Sequence, residues 1–109
     1  MSKRFAWTWK VKSEYLDEYV YMHRHPWQEI LQEHSKAGIR NYSIFQNKNQ
    51  FFYVFECDND EDVEKAFQYM GKSEACQRWN AITSTMVEGS FDSDNPSPTQ
   101  YMDEIFYLQ

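Results

Sequence analysis

Apolar residues near the start of the chain fall at every second position, and this spacing is the strongest constraint on the fold. From Phe5 to Val11 they alternate with Ala6, Thr8 and Lys10. A period of two is typical of a β-strand with one buried face, whereas a helix requires a period near 3.6. The first element is therefore predicted to be a strand that contributes large side chains to a core.

A helix is predicted to follow this strand. Ser13 offers an N-cap oxygen, and Tyr15, Tyr19 and His23 recur at four-residue spacing. Residues four apart lie on the same face of a helix, so these three side chains should point the same way.

Pro26 is expected to break the helical region near His25. A proline disfavours the α conformation of the residue before it, but is well placed to open a new helix. This second helix is predicted to run through Gln32 to Ala37 and to be closed by Gly38.

Two strands and two further helices are predicted next. Residues 39–46 and 51–57 are rich in β-branched and aromatic residues, and residues 47–50 read as a hairpin turn. Asp60 can cap a third helix and Ser73 a fourth. Their apolar stripes are Val63, Ala66, Phe67 and Met70, and then Cys76, Trp79, Ile82 or Thr83, and Met86.

The end of the chain is predicted to be a surface loop and a closing strand. Residues 92–99 contain two prolines and several turn formers, and residues 104–108 are mostly apolar or aromatic. The order β, α, β, β, α, β predicts an α+β fold of the ferredoxin-like type, an antiparallel sheet with helices on one face. Residues 1–109 are expected to form one domain.

Aromatic residues are more abundant on the predicted strands than one layer of helices can cover. They include Trp7, Trp9, Phe51, Phe52, Phe55 and Phe106. A homodimer formed through the second face of the sheet, a dimeric α+β barrel, is therefore expected.

Charge and hydropathy argue against several classes of partner. The formal net charge is −6, and no block of Lys and Arg is present, so nucleic acid is not expected as a partner. No apolar run of about 18 residues is long enough to span a membrane, and no leader peptide is recognised. Cys57 and Cys76 lack metal-binding spacing. A cytoplasmic protein with reduced cysteines is expected.

Several short motifs together resemble one family, the L-rhamnose mutarotases. The resemblance extends over almost the entire chain, in order and with compatible spacing. The motifs are Glu18-Tyr19 with His23 and Trp27, Asn41-Tyr42, Cys76-Gln77-Arg78-Trp79, Asp94-Asn95-Pro96 and Glu104-Ile105-Phe106-Tyr107-Leu108.

The resemblance implies a dimeric α+β barrel of the cytosol that interconverts α and β pyranose anomers without metal or cofactor. Position by position, His23 matches the general acid, and Tyr19, Tyr42 and Trp79 match substrate-binding residues. The family pattern has a second tryptophan after the one matched by Trp79, where this chain has Asn80. Asn80 is therefore a candidate substrate-binding residue that changes the choice of sugar. The alternative is that it points to solvent on the far side of the helix, since adjacent residues diverge by about 100° around a helix.

The chemistry of mutarotation fits these residue types. Ring opening requires a proton to reach the ring oxygen while another leaves the anomeric hydroxyl, and a histidine exchanges protons near neutral pH. Trp79 could stack on the C–H face of a sugar. On pattern alone, however, His23 also fits an ordinary histidine, and Tyr19, Tyr42 and Trp79 fit core stripes.

Two other functions remain open from the sequence. One is a non-catalytic dimeric α+β barrel that binds a small ligand, because this fold supports unrelated activities. The other is an oxidative barrel enzyme that acts on haem or an aromatic substrate.

Overall fold

The computed structural model describes residues 3–58, 63–88 and 101–109. The elements in chain order are β1 (Lys3–Val11), a 3-10 turn (Ser13–Tyr15), α1 (Leu16–Arg24), α2 (Gln28–Lys36), β2 (Ile39–Asn47), β3 (Gln50–Cys57), α3 (Val63–Gly71), α4 (Glu74–Thr83) and β4 (Val87–Glu88). None of these helices is long and apolar enough to cross a bilayer. The predicted cap at Asp60 and the predicted loop at residues 92–99 lie outside the described residues.

The four strands form one antiparallel sheet in the order β2-β3-β1-β4. β1 and β3 pair along their length, with Trp7 opposite Tyr53. Both residues belong to the buried core, which also includes Ile30 of α2 and Trp79 of α4. The helices therefore pack on the face of the sheet that carries Trp7, as the alternation of apolar residues predicts, and the α+β class is confirmed.

The opposite face of the sheet carries a separate apolar row. Thr8, Phe52 and Phe45 lie opposite one another on β1, β3 and β2. Phe45 is 63% exposed. This row points away from the side chains that form the core, since successive residues of a strand face opposite sides.

A β-bulge in β2 determines the orientation of Tyr42. Arg40 pairs with Glu56 and Ser43 with Val54, so two residues of β2 lie opposite one residue of β3. The extra residue is accommodated by Asn41, whose φ is 51°. Tyr42 consequently turns toward the helices and contacts the core.

The predicted starts of α1 and α2 were both wrong. Ser13 does not cap α1: it begins the 3-10 turn, and its carbonyl accepts the N–H of Leu16, where the α-helix starts. Pro26 precedes α2 by two residues, because Trp27 has an extended backbone and the helix begins at Gln28. The predicted closure of α2 at Gly38 is confirmed by a positive φ of 91°.

The prediction of a closing strand at Glu104–Leu108 was wrong. The fourth strand is Val87–Glu88, which pairs with the end of β1, and residues 101–109 have no regular secondary structure. The segment still runs beside β1, since Met102 donates its N–H to the carbonyl of Ala6 at 2.7 Å. One such bond is too little to form a ladder. The apolar side chains beyond it are exposed rather than packed: Ile105, Phe106, Tyr107 and Leu108.

Candidate active site

Two adjoining cavities lie between the helices and the sheet. The outer one has a volume of about 680 Å³ and the inner one about 100 Å³. The residues that line both are His23, Ile30, His34, Tyr42 and Trp79. The structure thus brings three of the predicted site residues, His23, Tyr42 and Trp79, to a common wall. Tyr19 and Asn80 line the inner cavity.

His23 is held in one orientation by its own helix. Its Nδ1 lies 2.7 Å from the carbonyl oxygen of Tyr19, one turn earlier in α1. A carbonyl only accepts hydrogen bonds, so Nδ1 carries the proton and Nε2 is left for exchange. The ring also stacks at 4.3 Å on Tyr19 and meets the edge of Trp79 at 5.3 Å.

Burial lowers the pKa of His23 below its usual value, and the hydrogen bond to the Tyr19 carbonyl partly offsets this effect. The neutral form of the imidazole is therefore favoured at neutral pH. No Asp, Glu, Lys or Arg is among the described residues that line the inner cavity. The groups that can transfer protons there are the imidazoles of His23 and His34, the phenols and the thiol of Cys76, whose pKa is raised by burial.

Tyr19 forms a buried pair with Tyr53 of β3, and their phenol oxygens lie 2.5 Å apart. Burial raises the pKa of Tyr19 to about 12, although the bond from Tyr53 lowers it in part. Burial also raises the pKa of Tyr53. Both phenols are therefore protonated at neutral pH, and the pair can donate a hydrogen bond to a neutral ligand.

Trp7 stacks on Tyr53, with parallel rings 4.8 Å apart. Trp7 is 4% exposed and lines the inner cavity. Its indole N–H is buried and has no hydrogen-bond partner within residues 3–58, 63–88 and 101–109. Because an unsatisfied buried donor costs free energy, this N–H is a strong candidate to bind a ligand hydroxyl.

Tyr42 is brought to the site by the bulge in β2. Its ring lies 6.0 Å from Trp7, 5.7 Å from Phe55 and 5.7 Å from His34. The residue as a whole is 36% exposed, while its ring contacts core aromatic residues and it lines both cavities. Burial raises the pKa of this phenol well above its usual value, so Tyr42 also acts as a neutral donor.

Trp79 and Asn80 come from α4, whose predicted cap is confirmed: Ser73 accepts the N–H of Cys76. Trp79 is 9% exposed and meets Trp27 edge to face at 5.1 Å. Trp27 thus packs behind Trp79 and supports its ring. Asn80 is half-buried and is among the residues that line the inner cavity.

Three residues of the site were not distinguished by the sequence patterns: His34, Tyr53 and Trp7. Tyr53 and Trp7 occupy inward positions of strands, where aromatic residues usually serve only as core. His34 lies four residues after the buried Ile30, so it lies on the inward face of α2. That spacing was the available signal for a histidine directed toward the interior.

Comparison with known proteins places the chain near one family. The model of the L-rhamnose mutarotase family matches residues 4–108. An L-rhamnose mutarotase from Shouchella clausii is 32% identical over 108 residues, which cover 96% of this chain and 97% of that protein. One from Oceanobacillus iheyensis is 31% identical, with 97% and 98% covered.

A solved structure has the same fold. The crystal structure of an L-rhamnose mutarotase from Formosa agariphila superposes with a TM-score of 0.76 at 23% identity. The superposition covers 99% of this chain and all of that one. This match supports the α+β architecture independently of the sequence comparisons.

Proposed function

The chain belongs to the L-rhamnose mutarotase family and is a sugar mutarotase, an isomerase; we propose that it interconverts the pyranose anomers of L-rhamnose or a closely related free hexose. The observation that carries this proposal is the placement of His23, with Nδ1 bound and Nε2 available, in the wall of an uncharged aromatic cavity. The family match favours neither a non-catalytic ligand-binding protein nor an oxidative enzyme. We further propose that residues 1–109 act as one catalytic domain.

His23 is proposed to act as the general acid in ring opening. In its protonated form, Nε2 donates a proton to the ring oxygen as the bond from that oxygen to the anomeric carbon breaks, and the anomeric hydroxyl releases its proton to a base as its oxygen becomes the aldehyde carbonyl. The free aldehyde can then rotate, and the same nitrogen recovers the proton when the ring closes on the other face. A histidine suits this cycle because its usual pKa of about 6.5 allows both steps near neutral pH.

The substrate is proposed to be held by aromatic stacking and neutral donors. Trp79 offers a flat face for the C–H groups of the sugar. The hydroxyls of Tyr19 and Tyr42 and the N–H of Trp7 provide hydrogen-bond donors that need no charged ligand. These features favour a neutral monosaccharide over a sugar phosphate.

Asn80 is proposed to contribute to the choice of sugar. Asn80 lines the inner cavity, and an amide there offers a donor and an acceptor that are costly to leave unpaired. Such a site discriminates strongly against a sugar that lacks the matching hydroxyl. The preferred sugar is therefore expected to be more hydroxylated than L-rhamnose.

Anomeric exchange measured by saturation-transfer NMR tests the proposed substrate class. L-Rhamnose, D-mannose and further free hexoses are mixed with the protein in the absence of added metal. Faster exchange than in buffer is expected for L-rhamnose or a manno-configured relative. Exchange at the spontaneous rate for every sugar, with the protein shown to be folded, would contradict the proposal.

A homodimer is proposed, formed through the open face of the sheet. Two features support it: the cross-strand row of Phe52 and Phe45, and the exposed apolar side chains of residues 105–108. Exposed apolar area of this kind is typical of a protein interface. A symmetric pairing would bring the same row of each copy together.

We also propose a cytoplasmic location. Cys57 and Cys76 are both buried and unpaired. Free thiols at buried positions are typical of proteins in a reducing compartment.

A further inference from the structure

His34 repeats the arrangement of His23 on the neighbouring helix. Its Nδ1 lies 2.7 Å from the carbonyl oxygen of Ile30, one turn earlier in α2. Nδ1 must therefore carry the proton, and Nε2 is left with a free lone pair. His34 is half-buried and lines both cavities, as His23 does.

Anomer exchange requires a second proton-transfer position. As the ring oxygen gains a proton, the hydroxyl on the anomeric carbon must lose one. A single rigid imidazole can serve one of these oxygens at a time, because its Nδ1 is already bound to the helix. A second histidine in the wall of the same cavity removes this limitation.

We propose that His34 is a further catalytic residue, the base that acts on the anomeric hydroxyl while His23 acts on the ring oxygen. This inference rests on the proposed function. In ring opening, Nε2 of His34 takes the hydroxyl proton and the O–H electron pair forms the carbonyl of the aldehyde. The electron pair of the bond between the anomeric carbon and the ring oxygen moves to that oxygen, which receives the proton of His23.

Ring closure reverses these transfers. After rotation of the aldehyde, His34 returns its proton to the carbonyl oxygen, and His23 takes the proton of the attacking hydroxyl. Both histidines regain their starting states, so the cycle requires no oxidant, reductant or co-reactant. Besides the Nδ1 protons, the pair must hold one exchangeable proton, on Nε2 of His23.

His23 is the other histidine in the walls of the two cavities that His34 lines. Burial lowers the pKa of His34, while the bond to the Ile30 carbonyl partly offsets this effect. The ionisable groups on the packed elements and in the cavity walls are Tyr19, His23 and Arg24 of α1, Glu33 of α2, Tyr42 of β2, Tyr53 of β3 and Cys76 of α4. Burial raises the pKa of Tyr42 and of Cys76, so both remain protonated near neutral pH.

A glutamine at position 34 provides the sharpest test. His34→Gln can still donate to the Ile30 carbonyl, but it cannot accept a proton. His25→Gln is the matched control: Nδ1 of His25 lies 3.1 Å from the Tyr21 carbonyl, and the side chain is exposed and outside both cavities. The exchange rate is measured for each protein at several sugar concentrations and from pH 5 to pH 8, with folding checked by circular dichroism.

His34→Gln is expected to lower kcat by about 10²-fold or more with little change in KM, since a positioned acid or base contributes about 10²- to 10⁴-fold. The pH profile should also lose one of its two limbs, while His25→Gln retains the kcat of the unmodified protein. An unchanged kcat, or a rise in KM alone, would overturn the role of His34 but not the proposed function. An unmodified protein with no activity on any sugar would overturn both.

Discussion

The phenol oxygens of Tyr19 and Tyr53 lie 2.5 Å apart in the interior, where helix α1 meets the centre of the sheet. This bond fixes the turn of α1 whose carbonyl orients His23. It also connects that turn to Trp7, which stacks on Tyr53. The position of the proposed acid is therefore tied to the most buried part of the core.

A double-mutant cycle measures this bond. Tyr19→Phe or Tyr53→Phe alone should lower the free energy of unfolding by about 1–3 kcal/mol, because each leaves the other hydroxyl buried without its partner. The double variant should lose less than the sum of the two, as both hydroxyls are then absent. Urea denaturation gives the free energy of unfolding of the unmodified protein and of each variant. Tyr21→Phe on the exposed side of α1 is the control, and strictly additive losses would show that the hydroxyls do not interact.

The stability of the protein is expected to fall as the pH decreases below neutrality. Burial holds the pKa of His23 and of His34 below the value of about 6.5 that they have when unfolded. The unfolded chain then binds more protons than the folded one between these pKa values, so protonation favours unfolding. The stability associated with the two neutral, buried imidazoles is fully present above pH 6.5. It is lost as the pH falls through the lowered pKa values of His23 and His34.

Denaturation curves from pH 7.5 to pH 5 test this linkage. Replacing His23 or His34 with glutamine should make the free energy of unfolding less dependent on pH over this interval, whereas His25→Gln serves as the exposed control. A stability that rises on acidification in the unmodified protein, and not in the variants, would show that the buried histidines have raised pKa values instead.

Asn80→Trp is expected to shift the sugar preference toward L-rhamnose. An indole in place of the amide adds an apolar wall to the inner cavity and removes a donor and an acceptor. The measurement is the ratio of exchange rates for L-rhamnose and D-mannose. Ala81→Trp, on the exposed side of α4, controls for the added bulk. An equal ratio in Asn80→Trp and the unmodified protein would exclude Asn80 from the site.

Phe45→Glu is expected to convert the proposed dimer into a monomer. Phe45 is 63% exposed on the open face of the sheet, so a charge there costs little in folding and disrupts an apolar interface. Tyr21→Glu places the same charge at a residue that is 64% exposed on α1. Sedimentation velocity gives the mass of the unmodified protein and of each of the two variants in solution. A monomeric unmodified protein, or a dimeric Phe45→Glu variant, would argue against an interface at this face.

The sequence predicts most of the fold because the strands have clear periodicity. The alternation from Phe5 to Val11 identifies β1 and its buried face, and Gly38 marks the end of α2. The last strand could not be predicted, because residues 104–108 have the composition of a strand, whereas the backbone hydrogen bond that joins this segment to β1 comes from Met102, ahead of them. Pairing across a sheet depends on distant residues, which local composition does not encode.

The site could be predicted only in part for a related reason. Four-residue spacing places Tyr19 and His23 together, but Trp7, Tyr53 and His34 reach the cavity through the strand register and helix packing. Tyr42 depends on a bulge at Asn41, which is not a glycine. Such bulges are difficult to recognise from sequence alone.

The most direct test compares His23 with its exposed counterpart. His25 makes the same bond to a carbonyl one turn earlier, and its ring lies 4.4 Å from that of Tyr21, but it lies outside both cavities. Saturation-transfer NMR of L-rhamnose or of the preferred sugar, at pH 7, gives the exchange rate for both alanine variants. His23→Ala is expected to lose about 10²-fold or more of the acceleration, and His25→Ala none. Full activity in a folded His23→Ala variant would contradict the assignment of His23 as the acid.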